Sequence, residues 1–117
     1  MTKAASTVFY FGIYVLVLGL GLIAIPNLVL APFGFPPTSE VWLRVAGVLT
    51  VAIGWYYVSS ARAGLVPFFR ATIAMRTYVF VCFGAFVLLG FARPALALFG
   101  AVDLAGAIWT AAALKKG

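Results

Sequence analysis

Thirty-six consecutive residues, Ala4 to Ser39, carry no charge, and 17 more lie uncharged between Arg44 and Arg62. An α-helix rises 1.5 Å per residue, so about 20 apolar residues cross a hydrocarbon core about 30 Å thick. Runs of this kind leave few alternatives to membrane-spanning helices. Over all 117 residues only 9% are charged and 66% are hydrophobic, where a soluble domain carries roughly a quarter charged residues. A soluble fold of this length leaves much of its surface in water, and this chain lacks the polar side chains to cover it. The composition predicts an integral membrane protein.

The segmentation predicts an all-α fold, a four-transmembrane-helix antiparallel bundle forming a single transmembrane domain over 1–117. Helix one is expected over about 7–30, with a kink or end at Pro26. Pro32, Pro36 and Pro37 then break the helix by removing backbone donors. Thr38-Ser39-Glu40 places hydroxyls and an acid at a helix start, as an N-cap requires, and helix two follows over 39–60. Gly64 and Pro67 mark a short connection before helix three, 68–90. Phe91-Ala92-Arg93-Pro94 forms a tight turn, with proline suited to the first turn of helix four, 94–114. Lys3, an apolar run and Val29-Leu30-Ala31 resemble a signal peptide, but the run is longer than a typical signal core and is read as a retained helix. Pro-x-Leu-x-Leu followed by Phe-Gly occurs at Pro26–Gly34 and again at Pro94–Gly100, a likeness closer to chance than to duplication.

Four spans put the N-terminus, the 61–67 loop and the C-terminus on one side. Lys3, Arg62, Arg70, Lys115 and Lys116 lie there, against Arg93 and Arg44 on the other. Basic residues favour the cytoplasmic face. The expected location is therefore the inner (cytoplasmic) membrane, with both termini cytoplasmic. Phe9-Tyr10-Phe11, Trp55-Tyr56-Tyr57, Phe68-Phe69 and Trp109 fall toward that face, and Phe33, Phe35, Trp42, Phe91 and Phe99 toward the other. Such belts anchor spans at the interfaces.

Lipid tails solvate leucine well, so helices in a bilayer associate through close packing and polar contacts. Glycines recur every seven residues, a spacing that returns to nearly the same helix face. Gly12 and Gly19 do so on helix one, Gly47 and Gly54 on helix two, Thr77 and Gly84 on helix three, and Gly100 and Ala107 on helix four. These positions are expected to pack the bundle together.

Three charges fall at depth. Arg76 stands about 12 Å into helix three and Asp103 about 13 Å into helix four from the opposite face, close enough in height to pair. Arg44 lies about one turn inside helix two, with Glu40 as its i, i+4 partner. Intramembrane charges are costly and are paired or line cavities. Arg44, Arg76 and Asp103 are therefore expected to converge, either as a buried ion pair or as a polar pocket for a lipid headgroup, a quinone carbonyl or an anionic amphiphile. A proton-relay role for Asp103 is disfavoured by an arginine neighbour.

The chain has no histidine, one cysteine and two acidic residues. This removes the commonest general base and metal ligand and leaves no disulfide pair, so no metal site and no cofactor are expected. Serines without a histidine base form no recognisable triad. Cys82, between Val81 and Phe83, reads as a buried inert thiol. The net charge of +6 includes no basic run longer than Lys115-Lys116, so nucleic acid is not an expected partner.

Pro26–Gly34, Leu43-Arg44-Val45-Ala46-Gly47, Gly54 with Ser60-Ala61-Arg62, and Pro94–Gly100 with Asp103 and Trp109–Leu114 give a pattern that resembles small bacterial four-helix membrane proteins of the DoxX-like kind. The resemblance implies a compact four-helix bundle, with links in some relatives to quinone-coupled sulfur oxidation and to oxidative-stress complexes. It carries over no catalytic residue. The resulting expectation is a non-enzymatic accessory or scaffold subunit of a larger membrane complex that binds lipid or quinone inside the bundle. The alternative is a small transporter of lipophilic or amphiphilic compounds using Asp103 and Arg76. Small multidrug exporters rely on a carboxylate in the first helix, where this chain has no charge.

Overall fold

The structure, a computed structural model, describes residues 1–115; Lys116, one of the basic residues used for orientation, and Gly117 lie outside it. The described chain is all-helical, and four of its helices are long and apolar enough to cross a membrane. They are α1 (Lys3–Ala24), α3 (Val41–Ala63), α4 (Val66–Leu88) and α5 (Ala95–Lys115), with a short α2 (Pro26–Leu30) after α1.

The Thr2 hydroxyl starts α1 by accepting the Ala5 N–H at 3.0 Å. Of the kink or end expected at Pro26 within 7–30, the structure has an end: α1 stops at Ala24, because proline pushes the residue before it out of helical geometry. Ile25 has φ −140° and ψ 59°, and Pro26 opens α2 from its first position. One 3₁₀ turn, Ala31–Phe33, and Gly34 at φ 80° then reverse the chain. Helix α3 begins two residues later than the hydroxyl pattern suggested: Glu40 is its N-cap, and the Thr38 hydroxyl accepts the Glu40 N–H ahead of the helix. Gly64 closes α3 at φ 66°. Gly90, at φ 79°, follows α4.

Helix α1 packs along α3, and α4 along α5, while α1 also touches α5. The α1–α3 seam is backbone against backbone. A Cβ at Gly19 would stand 2.7 Å from the Val51 nitrogen and 2.9 Å from the Gly47 oxygen. Gly47 meets the Gly19 oxygen at 2.8 Å, Gly54 the Leu16 nitrogen at 2.9 Å, and Gly12 the Tyr57 Cβ at 2.8 Å. A Cβ at Gly100 of α5 would stand 3.2 Å from the Phe80 Cα on α4. Gly84 does not act as its spacing suggested: nothing lies within 4 Å of where its Cβ would be. Heptad spacing defines a helix face without supplying a partner for it.

The bundle is not closed on all sides. Helices α3 and α4 are joined through Gly64-Leu65 yet scarcely touch. The dense core sits at the end holding both termini, where Ala4, Ala5, Val8, Phe11, Tyr57, Ala61, Phe69 and Ala113 are buried together. Phe11, Tyr57 and Phe69, expected in an interfacial belt, are thus core residues. Exposed Lys3, Arg62, Arg70 and Lys115 flank this terminal end.

Candidate functional site

Where α3 and α4 part, a groove of about 920 Å³ opens between them. Leu43, Ala46, Thr50 and Ile53 of α3 form one wall, and Ala71, Met75, Val79 and Phe83 of α4 the other. Leu18 and Leu22 of α1 and Leu96 and Phe99 of α5 form its floor. It extends from Phe35 and Pro36 at the far end to Tyr57 and Phe68 near the terminal core. The far end is shaped by the Asn27 side chain. Its Nδ2 donates to the Thr38 carbonyl at 2.9 Å, and its Oδ1 accepts the Thr38 N–H at 2.9 Å. Phe33 packs on Phe99 with ring centroids 4.7 Å apart and planes tilted by 46°, so Asn27 and Phe99 both hold the 31–38 segment at the groove's far end.

Polar groups interrupt this apolar lining at few places: Arg76 and Thr72 on α4, Asp103 on α5, Thr38, Thr50, and the tyrosines Tyr14, Tyr56 and Tyr57. Arg76 is 2% exposed. Its Nε donates to the Thr72 carbonyl at 3.2 Å, and its Nη2 donates to the Thr72 and Thr110 hydroxyls, each at 2.9 Å. The guanidinium lies over the Phe11 ring at 4.7 Å and near the Tyr57 ring at 5.6 Å. These contacts favour a cation, since each ring face carries negative charge density.

The threonines form a directed network. Thr7 Oγ1 donates to the Ala4 carbonyl at 2.7 Å, which uses its one proton. In the 2.8 Å contact between Thr7 and Thr110, Thr110 is therefore the donor. The order runs Arg76 to Thr110 to Thr7 to the Ala4 carbonyl, and separately Arg76 to Thr72 to the Phe69 carbonyl. Such chains strengthen one another in a low dielectric, and this one joins α4, α5 and α1. Arg76 Nη1 is buried with no hydrogen-bond partner. It packs against Gly106, where a Cβ would stand 3.0 Å from it and 2.7 Å from the Phe11 ring.

Arg76 and Asp103 come to one groove, whereas the expected ion pair, the place of Arg44 and its Glu40 partner are corrected. Arg76 makes no ion pair with Asp103, although both line the groove. Their heights match, but every Cα–Cβ bond leans toward its own helix N-terminus. In antiparallel α4 and α5, Arg76 reaches toward Thr72 and the terminal end, while Asp103 leans the other way. Arg44 does not join them. It is exposed, and its Nη1 donates to the Ile23 carbonyl, one of the last α1 carbonyls left without a helical partner. It caps α1 from α3, with its charge at the negative end of the helix dipole. No hydrogen bond joins Glu40 and Arg44.

Thr7, Thr72, Thr110, Gly106, Phe11 and Tyr57 belong to the site and were not singled out from the sequence as its members. Thr72 precedes Arg76 by four residues, a visible signal on one helix face. Thr110 and Thr7 lie 34 and 69 positions from Arg76 and give no such signal. Among the described residues no cluster of three His, Cys, Asp or Glu side chains forms a metal centre. No protein-family model, curated protein or solved structure matches the chain, so the resemblance to DoxX-like proteins draws no support from them.

Proposed function

We propose that this chain is a non-enzymatic integral membrane protein that holds a lipophilic molecule, a lipid chain or a quinone, in the groove between α3 and α4. The observation that carries the reading is the groove itself. Its volume of about 920 Å³ falls in the range of small-molecule sites, which are mostly apolar with a few placed polar groups. Arg76, Asp103 and the three tyrosines supply those groups. The absence of histidine and of a nucleophile–base pair in the sequence supports a binding rather than a catalytic role. An accessory place in a larger inner-membrane complex, with both termini cytoplasmic, fits the charge pattern and the very short connections.

Native mass spectrometry of protein extracted in mild detergent tests the binding reading. A lipophile should be retained near one per chain, and Ala71→Trp, which fills the groove from an exposed wall position, should displace it without lowering the melting temperature. Equal retention by the variant refutes the assignment. The carrier reading is favoured by one observation, that the groove extends along most of the span. Substrate flux in proteoliposomes that falls in Asp103→Asn supports it.

A further inference from the structure

The polar groups of the groove are arranged for a particular kind of head. Arg76 is buried, has no carboxylate in salt-bridge range and keeps Nη1 without an acceptor. Asp103 is half-buried and makes no hydrogen bond. It stands three residues before Gly106, the residue against which Nη1 packs, an axial rise of roughly 5 Å along α5, and both Arg76 and Asp103 line the groove. The two opposite charges therefore border one apolar space without neutralising each other directly.

A head placed between them meets two fields. An anionic head between them gains attraction from Arg76 and loses part of it to repulsion from Asp103. It also gives up its own hydration on entering an apolar site. A cationic head meets the reverse problem. A neutral head with an acceptor at one end and a donor at the other gains at both ends, because the two fields add along a dipole. We infer that the groove selects a neutral lipophile whose head carries both an acceptor and a donor, the acceptor taken by the Arg76 guanidinium and the donor by the Asp103 carboxylate. Lipophiles with an anionic head are selected against.

This inference rests on the groove being a lipophile site, and the test separates the two. Full-length protein in dodecyl maltoside is titrated with monoolein (neutral, with hydroxyl and ester groups), oleate (anionic) and octadecane (no head), and occupancy is read by native mass spectrometry. Monoolein should bind about tenfold more tightly than oleate, with octadecane weakest. Asp103→Asn keeps the shape and removes the repulsion, so oleate should gain until the preference disappears. Arg76→Met should weaken monoolein toward octadecane. Gly84→Ala, outside the groove lining and with nothing within 4 Å of the added Cβ, should leave the ranking intact, and the melting temperature of each variant, read beside its binding, separates a lost head contact from a folding defect. Tighter oleate binding by the unaltered protein, or an unmoved preference in Asp103→Asn, overturns the inference. Equal binding of all three probes overturns it while leaving the groove reading intact, and binding of none overturns both.

Discussion

Replacing Gly19 by alanine tests the seam on which the fold depends. The added Cβ would meet the Val51 nitrogen and Cγ2 at 2.7 Å and the Gly47 oxygen at 2.9 Å. Ordinary contact begins at 3.4 Å, so the helices must part by about 0.7 Å at this point. Two of the three opposing atoms are backbone and cannot rotate away. Overpacking of this sort costs about 1–3 kcal/mol, and the rigid neighbours place Gly19→Ala near the upper end. Alanine returns about 1 kcal/mol over glycine inside a helix, leaving a net loss of about 2 kcal/mol. Gly84→Ala receives the same propensity gain and meets nothing within 4 Å. The two variants should therefore differ by about 3 kcal/mol, with propensity cancelled. Thermal unfolding in dodecyl maltoside, followed by circular dichroism, reads the difference. At about 4 °C per kcal/mol for a chain of this size, Gly19→Ala should melt about 8 °C lower than the unaltered protein, and Gly84→Ala at or above it. Val51→Ala in the Gly19→Ala background removes only the Cγ2 clash and should restore part of the loss. If the two alanine variants melt within about 2 °C of each other, the seam is not held by backbone approach and the reasoning fails.

Thr110→Val removes an acceptor of Arg76 Nη2 and the donor to Thr7. It should cost about 1.5–3 kcal/mol, as expected for a bond to a charged group, whereas Thr110→Ser keeps the hydroxyl and should melt near the unaltered protein. Asn27→Ala loses two exposed hydrogen bonds to Thr38. It should cost no more than about 1 kcal/mol while raising hydrogen exchange across 31–40 well above that of α3. Arg44→Met removes one exposed cap on α1 and should cost less than about 1 kcal/mol; a loss as large as that of Thr110→Val would place Arg44 in the core network.

The sequence discloses properties of a single helix more readily than relations between helices. Glycines spaced by seven identify the α1 and α3 faces because one rotation rule governs each helix, and Gly12, Gly19, Gly47 and Gly54 meet across one seam. Gly84 obeys the same rule but lacks a neighbour. Depth along the helix brings Arg76 and Asp103 to similar heights and to one groove, yet the backward lean of each side chain in antiparallel helices keeps them from pairing. Pro26 ends α1 where local sterics require. The groove itself is not legible, because it depends on how far α3 and α4 diverge after Gly64, a quantity set by what α1 and α5 each hold.

Arg76 links the two halves of the molecule. At the terminal end it closes a network across α4, α5 and α1 through Thr72, Thr110 and Thr7, within the densest packing. On its other side it borders the groove, where α3 and α4 hardly meet. A lone buried cation would be a poor choice for stability, since satisfied apolar packing generally does as well. Its cost here is offset by two aromatic faces and three hydrogen bonds, which leave only Nη1 unanswered. That degree of compensation fixes the guanidinium in place, so orienting it for a head bound as proposed would cost little. The walls differ from this rigid base: Ile53, Tyr56 and Met75 are exposed and, in a chain that spans a bilayer, meet acyl chains. The groove therefore joins one fixed polar group, Arg76, to apolar walls that open sideways, and a lipophile held there would enter from the hydrocarbon rather than from water.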